Sequence, residues 1–380
     1  MESSTLNNTN SARYLSLDVL RGLTIAFMII VNSPGNAVAS YSQLKHAVWN
    51  GFTLTDLVFP TFLFVVGNAM SFTMQKYNKT DQRSFLVKVL KRAVIIYLIG
   101  IFLNAYPFFT IADNHYVLID FTTIRLVGVL GRIAICYCVV SLIIYYTGPV
   151  MAYIVSGLAL LVYWWILYQF GDQPDPYSLT GNAVSKFDLL ILGTDHIWHG
   201  EGVPFDPEGL LSTLPAIANV TAGYFVGRYI QSTGVSKSTI LRLVTFGLVL
   251  IAVAVLWDQV FPINKKIWTS PYVLLAVGLD LLILSILLYV IQIAKVKRGL
   301  GFFEVFGRNP LVLYILSYLI IKLLYYVQVG EGNAKDWIYR SAFAPLADPA
   351  NASLLFSISI MMIVWLTGYF MDKRRLYIKV

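Results

Sequence analysis

The chain has 380 residues, of which 13% are charged and 57% are apolar, and its net charge is +8 at pH 7. A soluble domain carries roughly 25% charged residues, so this composition excludes an ordinary water-soluble enzyme and predicts an all-α, polytopic integral membrane protein. In such a protein an excess of Lys and Arg reports orientation in the bilayer, and we expect no nucleic-acid partner.

Apolar runs recur along the whole chain, and no linker-like or low-complexity tract divides them. Because a bilayer core of roughly 30 Å needs about 20 apolar residues per helix, the runs predict about ten transmembrane helices. They form one predicted domain, 15–372, between a short polar tail at 1–14 and a basic tail at 373–380. The predicted spans are 15–33, 53–74, 87–106, 124–146, 149–170, 210–230, 240–260, 268–294, 309–327 and 352–371.

Basic residues are distributed unevenly between the two sides of this layout. With the N-terminus inside, 19 of the 28 Lys and Arg residues fall in cytoplasmic segments and six fall in the opposite loops. Since cytoplasmic loops of membrane proteins are rich in Lys and Arg, both termini are predicted to be cytoplasmic. The same layout places all four histidines and the acidic stretch 171–208 in exoplasmic loops.

Charged residues within the predicted spans form two candidate groups, and such residues usually face a partner or a cavity. Asp18 and Arg21 lie three residues apart in the first span, so they are expected to pair, with anion binding by Arg21 as the alternative. Arg125 and Arg132 lie two helical turns apart in the fourth span, on one face. Guanidinium groups bind phosphates bidentately. We therefore expect an anionic ligand there, or pairing with a buried acid such as Asp18 or Asp120.

The start of the second span combines a capping pattern with a nearby histidine. Thr53 or Thr55 is predicted to cap the helix, leaving Asp56 in its first turn, where the helix dipole favours a carboxylate. Capping alone would explain Asp56. However, His46 lies ten residues earlier in a short loop, and a neighbouring carboxylate would fix its tautomer and raise its basicity.

A His-x-x-His spacing at His196 and His199 raises the question of a metal site. A structural zinc site needs four ligands and a catalytic one three, so two histidines are a weak signal even with Asp206 and Glu208 nearby. We expect no metal and a polar loop that faces a sugar. The alternative for the two carboxylates is helix capping, with Pro207 at the first helical position.

Eight segments, taken together, form a recognisable pattern from residue 17 onwards. They are LDVLRGLTI at 17–25, VN at 31–32, KHAVWNGFTLTDLVFP at 45–60, IRLVGVLGR at 124–132, LGTDH at 192–196, DPEGLLSTLP at 206–215, NKKIW at 264–268 and GRNPLVLY at 307–314. In this order and spacing they resemble the heparan-α-glucosaminide N-acetyltransferase family.

The resemblance implies a transmembrane acyltransferase that takes acetyl-CoA from the cytoplasm and acetylates the amine of a terminal glucosamine on the far side. The family's active histidine falls on His46, which would act as general base or as a transient acetyl carrier. Its polar neighbours fall on Asn32, a donor to the developing oxyanion, and on Asp56, which would orient His46. The lysosomal family member has an additional luminal region, so we expect a bacterial-type homologue in the inner membrane, with His46 facing the periplasm.

The two substrates are expected to bind at different groups of residues. The candidate ligands of the CoA phosphates are Arg21, Arg125, Arg132, Lys91 and Arg92. The candidate contacts of the amino-sugar or glycan acceptor are His196, Asp206, Glu208, Trp49 and Asn50. The lipid bilayer surrounds the protein in this interpretation, and we allow for a homodimer.

Two other functions fit parts of the sequence. One is an O- or N-acyltransferase of lipid-linked or surface glycans. The other is a transporter or flippase of a small anionic or sugar substrate, because buried Asp and Arg also line transport pathways. Against transport, we find no matching pair of Gly- or Pro-broken segments that would indicate inverted repeats.

Overall fold

The computed structural model describes residues 14–77, 81–112, 115–330 and 332–378, and these are mostly helical. All but one residue of the predicted N-terminal tail, and the last two residues of the C-terminal tail, lie outside the described residues. The helices are α1 (Leu15–Asn32), α2 (Leu54–Thr73), α3 (Gln82–Ala105), α4 (Val129–Thr147), α5 (Pro149–Phe170), α6 (Ala183–Leu192), α7 (Thr213–Thr233), α8 (Lys237–Trp257), α9 (Ser270–Leu288), α10 (Leu300–Arg308), α11 (Pro310–Tyr326), α12 (Ala334–Ile338) and α13 (Pro349–Lys373). The strands are β1 (Phe109–Ala112), paired antiparallel with β2 (His115–Leu118), and β3 (Gln328–Val329), paired antiparallel with β4 (Gly332–Asn333).

Within the described ranges, seven helices are long and apolar enough to cross a bilayer: α1, α2, α4, α5, α8, α9 and α13. Helices α10 and α11 qualify together as one broken span, bent by 87°. Helices α3 and α7 have 24 and 21 residues but are more polar, with Lys91 and Arg92 in α3 and a buried Asn219 in α7. The all-α polytopic membrane fold is confirmed, while the total of ten spans and the orientation remain predictions.

The connections between α4 and α5 (148) and between α7 and α8 (234–236) are short and make these helices antiparallel, so the bundle has two ends. We call the end where α1 finishes and α2 begins the far end, and the opposite end the near end. The far end carries the long loops 33–53, 106–128, 171–212, 258–269 and 327–348. Helix α6 and the β1–β2 hairpin lie in these loops, so His115 occupies a strand of a hairpin within its far-end connection.

Small residues bring α2 and α7 into close contact at the centre of the bundle. A Cβ atom on Gly67 would lie 1.8 Å from the carbonyl oxygen of Val220, and one on Gly223 would lie 1.8 Å from that of Phe64. Glycine at such positions lets two membrane helices approach until their backbones touch. The main apolar core surrounds this contact, and it fixes α2, which carries Asp56 in its first turn.

The fourth predicted span begins later than expected. Residues 124–128 are not helical, and α4 starts at Val129 after Gly128, whose φ of +145° favours glycine. The backbone here is held by other segments: the side chain of Asn104 donates to the carbonyls of Arg125 and Val127 at 2.8 and 3.0 Å. The prediction that Arg125 and Arg132 share one helical face is therefore wrong.

Candidate active site

The loop between α1 and α2 ends in the predicted cap, and Thr53 is the N-cap residue. The N–H of Thr53 donates to Oδ2 of Asp56 at 3.0 Å as part of a capping box. The N–H of Ala47 donates to the same oxygen at 3.1 Å. The other carboxylate oxygen, Oδ1, lies 2.6 Å from Nδ1 of His46. Asp56 is therefore both the helix cap and the hydrogen-bond partner of His46.

The surroundings of this pair fix the state of the imidazole. Asp56 is 1% exposed, whereas the side chain of His46 is 44% exposed. An ionised carboxylate only accepts hydrogen bonds, so Nδ1 of His46 carries the hydrogen between them. Among the described residues the other nitrogen, Nε2, has no hydrogen-bond partner. An imidazole held in this tautomer can accept a proton or attack an acyl carbon through Nε2.

The structure does not place Asn32 in this pair. Asn32 is the last residue of α1, is exposed, and makes no side-chain hydrogen bond within the described part of the chain. The segment that follows it is anchored on α13, where Ser357 donates to the carbonyl of Ser33 at 3.0 Å. The oxyanion role of Asn32 therefore stays a prediction.

Trp49 and Asn50 are predicted from the sequence to contact the acceptor. In the structure they anchor the loop between α1 and α2 (33–53, the His46 loop) to two other far-end loops. The indole N–H of Trp49 donates to the carbonyl of Tyr177 at 2.9 Å. The side chain of Asn50 accepts from Nδ2 of Asn264 at 3.1 Å. The sequence did not single out Tyr177 or Asn264 as site residues, although Asn264 begins one of the motif segments. These contacts position the His46 loop against the 171–212 and 258–269 loops.

A second polar group at the far end is built around Arg125. Its Nε donates to Oδ2 of Asp206 at 2.7 Å, and its Nη2 donates to Oδ1 of Asp206 at 2.5 Å and to Glu208 at 2.7 Å. Lys265 lies 3.5 Å from the other oxygen of Glu208. The structure therefore contains the pairing of Arg125 with a buried acid, which is one of the two interpretations of the sequence. The acids are Asp206 and Glu208 rather than Asp120 or Asp18.

In this largely buried group, the cations Arg125 and Lys265 face the carboxylates Asp206 and Glu208. Burial would lower the pKa of Arg125, but Asp206 and Glu208 hold it above its ordinary value. Burial would likewise raise the pKa of Glu208, but the cations Lys265 and Arg125 keep it well below the usual range. Glu208 consequently stays ionised at neutral pH, and both carboxylates are held in place by Arg125.

Arg132 stabilises the turn that carries Asp206 and Glu208. Its side chain is fully buried, and its Nη2 donates to the carbonyls of Pro207 at 3.0 Å and Gly209 at 3.3 Å, and to the hydroxyl of Ser212. Its guanidinium lies 4.6 Å from the ring centroid of Trp268. Arg132 thus stabilises the entry to α7.

The five cations expected to bind CoA phosphates are not brought together. Arg125 lies beside Asn104 at the far end of α3, whereas Arg92 lies 12 residues earlier, about 18 Å along the helix axis. Lys91 and Arg21 belong to the near-end halves of α3 and α1, and the predicted pair of Arg21 with Asp18 is present at 3.6 Å. The structure therefore separates Arg125 and Arg132 at the far end from Arg21, Lys91 and Arg92 at the near end.

His196 connects two far-end loops. Its Nδ1 lies 2.7 Å from the carbonyl oxygen of Ile124, and its own carbonyl accepts from the N–H of Leu126 at 3.2 Å. In the part of the chain that the structure describes, no cluster of three potential metal ligands includes His196. His196 therefore holds the Arg125 segment from outside the bundle.

Asp188, which the sequence did not single out, supports the same turn. It is fully buried in α6, and its Oδ1 accepts from the N–H groups of Leu210 and Leu211 at 3.0 and 3.1 Å. A Cβ on Gly209 would lie 1.7 Å from its Oδ2, so the turn requires glycine there. Burial raises the pKa of Asp188 to about 7, against the effect of the two amides. No local sequence pattern marks such a residue, because its partners lie about 20 positions away.

Comparison with known proteins bears on this geometry. A sequence profile described as an acyltransferase domain matches residues 14–372. The chain belongs to this acyltransferase domain family. Its match covers the His46 and Asp56 pair as well as the Arg125 group, and it supports a membrane-embedded acyltransferase.

Two curated proteins show the same similarity. Human heparan-α-glucosaminide N-acetyltransferase is 26% identical over 362 residues, covering 80% of this chain and 52% of the human protein. The mouse protein of the same name is 26% identical over 363 residues, covering 81% of this chain and 53% of its own length. The resemblance noted from the motif segments is thus confirmed, and the chain spans about half the length of these relatives.

Proposed function

We propose that this acyltransferase moves an acetyl group from cytoplasmic acetyl-CoA to the amine of a terminal glucosamine-type sugar on the exoplasmic side. The observation that carries the proposal is the His46–Asp56 pair at 2.6 Å, with Nε2 of His46 open. The similarity to two N-acetyltransferases supports the choice of acyl group and acceptor.

The pair supports two chemical routes. In direct transfer, Nε2 of His46 takes a proton from the acceptor amine as the amine nitrogen attacks the thioester carbonyl carbon. The C–S bond then breaks, and the proton passes to the leaving thiolate. In the two-step route, Nε2 itself attacks the carbonyl carbon and the C–S bond breaks to release the thiolate. The amine then displaces the imidazole from the acetyl group, and the proton that the amine loses passes to the thiolate. A positioned base contributes about 10²–10⁴-fold to such a reaction.

The substrates would approach from opposite ends of the bundle. Arg21, Lys91 and Arg92 at the near end supply cations for the phosphates of the donor. At the far end, the carboxylates of Asp206 and Glu208 are held by Arg125, which suits hydrogen bonds to sugar hydroxyls or to an ammonium group. His196, Trp49 and Asn50 line the loops around this approach.

The direct test is acetyl transfer by the purified protein. Labelled acetyl-CoA and a panel of amino sugars should give an N-acetylated product, identified by mass spectrometry. We expect His46→Ala to abolish transfer while acetyl-CoA still binds. His115→Ala, which removes an exposed histidine of the β1–β2 hairpin, is the matched control and should retain activity. Near-normal turnover by His46→Ala would refute the catalytic role of His46. If no acceptor gives an acetylated product, the transporter interpretation is the one that remains.

A lipid-linked acceptor is the second candidate, because α6 carries an exposed apolar face at the far end. Phe187, Leu190 and Ile191 occupy one face at helical spacing and are 40%, 81% and 56% exposed. An amphipathic helix of this kind suits the membrane interface, where a lipid-linked glycan would be presented. Adding a lipid-linked glucosamine to the acceptor panel distinguishes the two, since it should then outcompete the free sugar.

A further inference from the structure

The far half of the bundle contains a cavity of about 80 Å³ between α3, α11 and the segment 125–131. Three tyrosines form much of its wall, Tyr97 from α3 and Tyr314 and Tyr318 from α11, and Arg125 closes it towards the far end. The side chain of Arg125 is 21% exposed, so this wall reaches the far-end surface. The cavity therefore lies next to the carboxylates proposed to face the acceptor.

Polar groups on the wall have unused hydrogen-bonding capacity. The hydroxyls of Tyr314 and Tyr318 make no hydrogen bond to any described residue, and neither does Nη1 of Arg125. A Cβ on Gly128 would lie 3.7 Å from that Nη1 and 3.7 Å from Nδ2 of Asn104, so the absence of a side chain at Gly128 leaves room beside these donors. By contrast, the hydroxyl of Tyr97 donates to the carbonyl of Leu126 at 3.0 Å and is already used.

The charged groups around the cavity mostly have partners within the protein. The remaining nitrogens of Arg125 are bound by Asp206 and Glu208, and Lys265 lies against the second of these. Lys322 of α11 also lies beside the cavity and donates to the carbonyls of the lining residues Leu103 and Asn104 at 3.3 and 3.4 Å. Phenol rings with free hydroxyls and one free guanidinium N–H suit a ligand with apolar carbon faces and several hydroxyl groups.

The size of the cavity limits how much of a ligand it holds. A water molecule takes about 30 Å³ in the liquid, so the space fits a few ring atoms with their hydroxyls. The whole of CoA, with its several phosphates and long pantetheine arm, is far larger. We propose that this tyrosine-walled cavity is a subsite for the ring hydroxyls of the amino-sugar acceptor, an inference that rests on the proposed function for the identity of its ligand.

Removal of the free hydroxyls tests the subsite by kinetics. Tyr314→Phe and Tyr318→Phe delete groups that have no partner in the described structure, so the fold should be unaffected. Each is expected to raise the KM for the amino sugar about 3- to 10-fold, as for loss of one hydrogen bond, while kcat and the KM for acetyl-CoA stay unchanged. Tyr289→Phe, about half exposed at the near end, is the matched control and should change nothing.

A binding experiment without donor separates this inference from the proposed function. Methyl β-glucosaminide is titrated calorimetrically into the full-length protein in nanodiscs, and the two cavity variants should weaken binding by the same 3- to 10-fold. If the wild type transfers no acetyl group, the proposed function fails, and this titration still decides the subsite. The inference is overturned if the variants bind the sugar as tightly as the wild type, or if they raise only the KM for acetyl-CoA.

Discussion

The carboxylate of Asp56 caps α2 and the preceding loop through one oxygen and contacts His46 through the other. Oδ2 accepts from the backbone N–H groups of Ala47 and Thr53, which closes the loop and starts α2. Oδ1 is left for Nδ1 of His46. Because the loop and the helix start are fixed by the same side chain, the orientation of His46 is determined by the fold of α2 rather than by the loop alone.

Replacement of Asp56 by Asn separates the capping of α2 from the charge beside His46. The amide oxygen of Asn can still accept from the N–H groups of the loop, so α2 should keep its cap. Without the negative charge, however, the imidazolium form of His46 loses its stabilisation. We expect kcat to fall about 100-fold or more and the acid limb of the pH–rate profile to move to lower pH.

Gln43→Ala is the control for this experiment, since Oε1 of Gln43 accepts from the N–H of Leu54 at the start of α2 at 3.1 Å and does not contact Asp56. It should cost about 1 kcal/mol of stability and leave the pH–rate profile in place. An Asp56→Asn enzyme whose profile matches the wild type would show that Asp56 is a helix cap only.

At the scale of elements, α6 and the start of α7 are joined through Asp188. Its carboxyl accepts from Leu210 and Leu211, and Arg132 donates to carbonyls on the other side of the same turn. Among the described residues, Oδ2 of Asp188 has no partner. The turn that carries Asp206 and Glu208 is thus held between a cation in α4 and an acid in α6.

The raised pKa of Asp188 predicts a measurable pH dependence of stability. The folded protein keeps the proton up to about pH 7, whereas the unfolded chain loses it near pH 4, as roughly expected for a free Asp. The folded state therefore binds more protons between these values, and stability falls as pH rises from about 4 to about 7. In Asp188→Asn this component of the slope should disappear. Thermal unfolding of both proteins from pH 5 to 8 measures it, and equal slopes would mean that Asp188 is ionised throughout.

The elements also show what could be predicted from the sequence. Continuous apolar runs predicted α1, α2, α5, α8, α9 and α13, because hydropathy is a local property. The capping pattern at Thr53 and Asp56 is local too, and it was predicted. The late start of α4 could not be predicted, because it depends on contacts of residues 124–128 with Asn104 and His196. The bend of 87° between α10 and α11 is likewise not predictable, since α10 is too short to register as a span.

In the whole molecule, the candidate donor-binding cations and the candidate active site lie at opposite ends of the bundle. The near end presents Arg21, Lys91 and Arg92, and the far end presents His46 with the Arg125 group. A bilayer core of roughly 30 Å would lie between the two ends. An acetyl group carried from a donor at one end to an amine at the other would therefore travel along the bundle, within reach of an extended donor molecule.

This separation predicts that transfer is sided. In sealed proteoliposomes, acetyl-CoA should support acetylation only when it is on the near-end side and the amino sugar is on the other. Single cysteines at exposed positions, Ser238→Cys at the near end and Thr194→Cys at the far end, report orientation through an impermeant thiol reagent. The native thiols are less suitable targets, since Cys136 is buried and Cys138 is only partly accessible. Equal rates with both substrates on the same side would show that donor and acceptor share one entrance. The near-end cations would then have no part in donor binding.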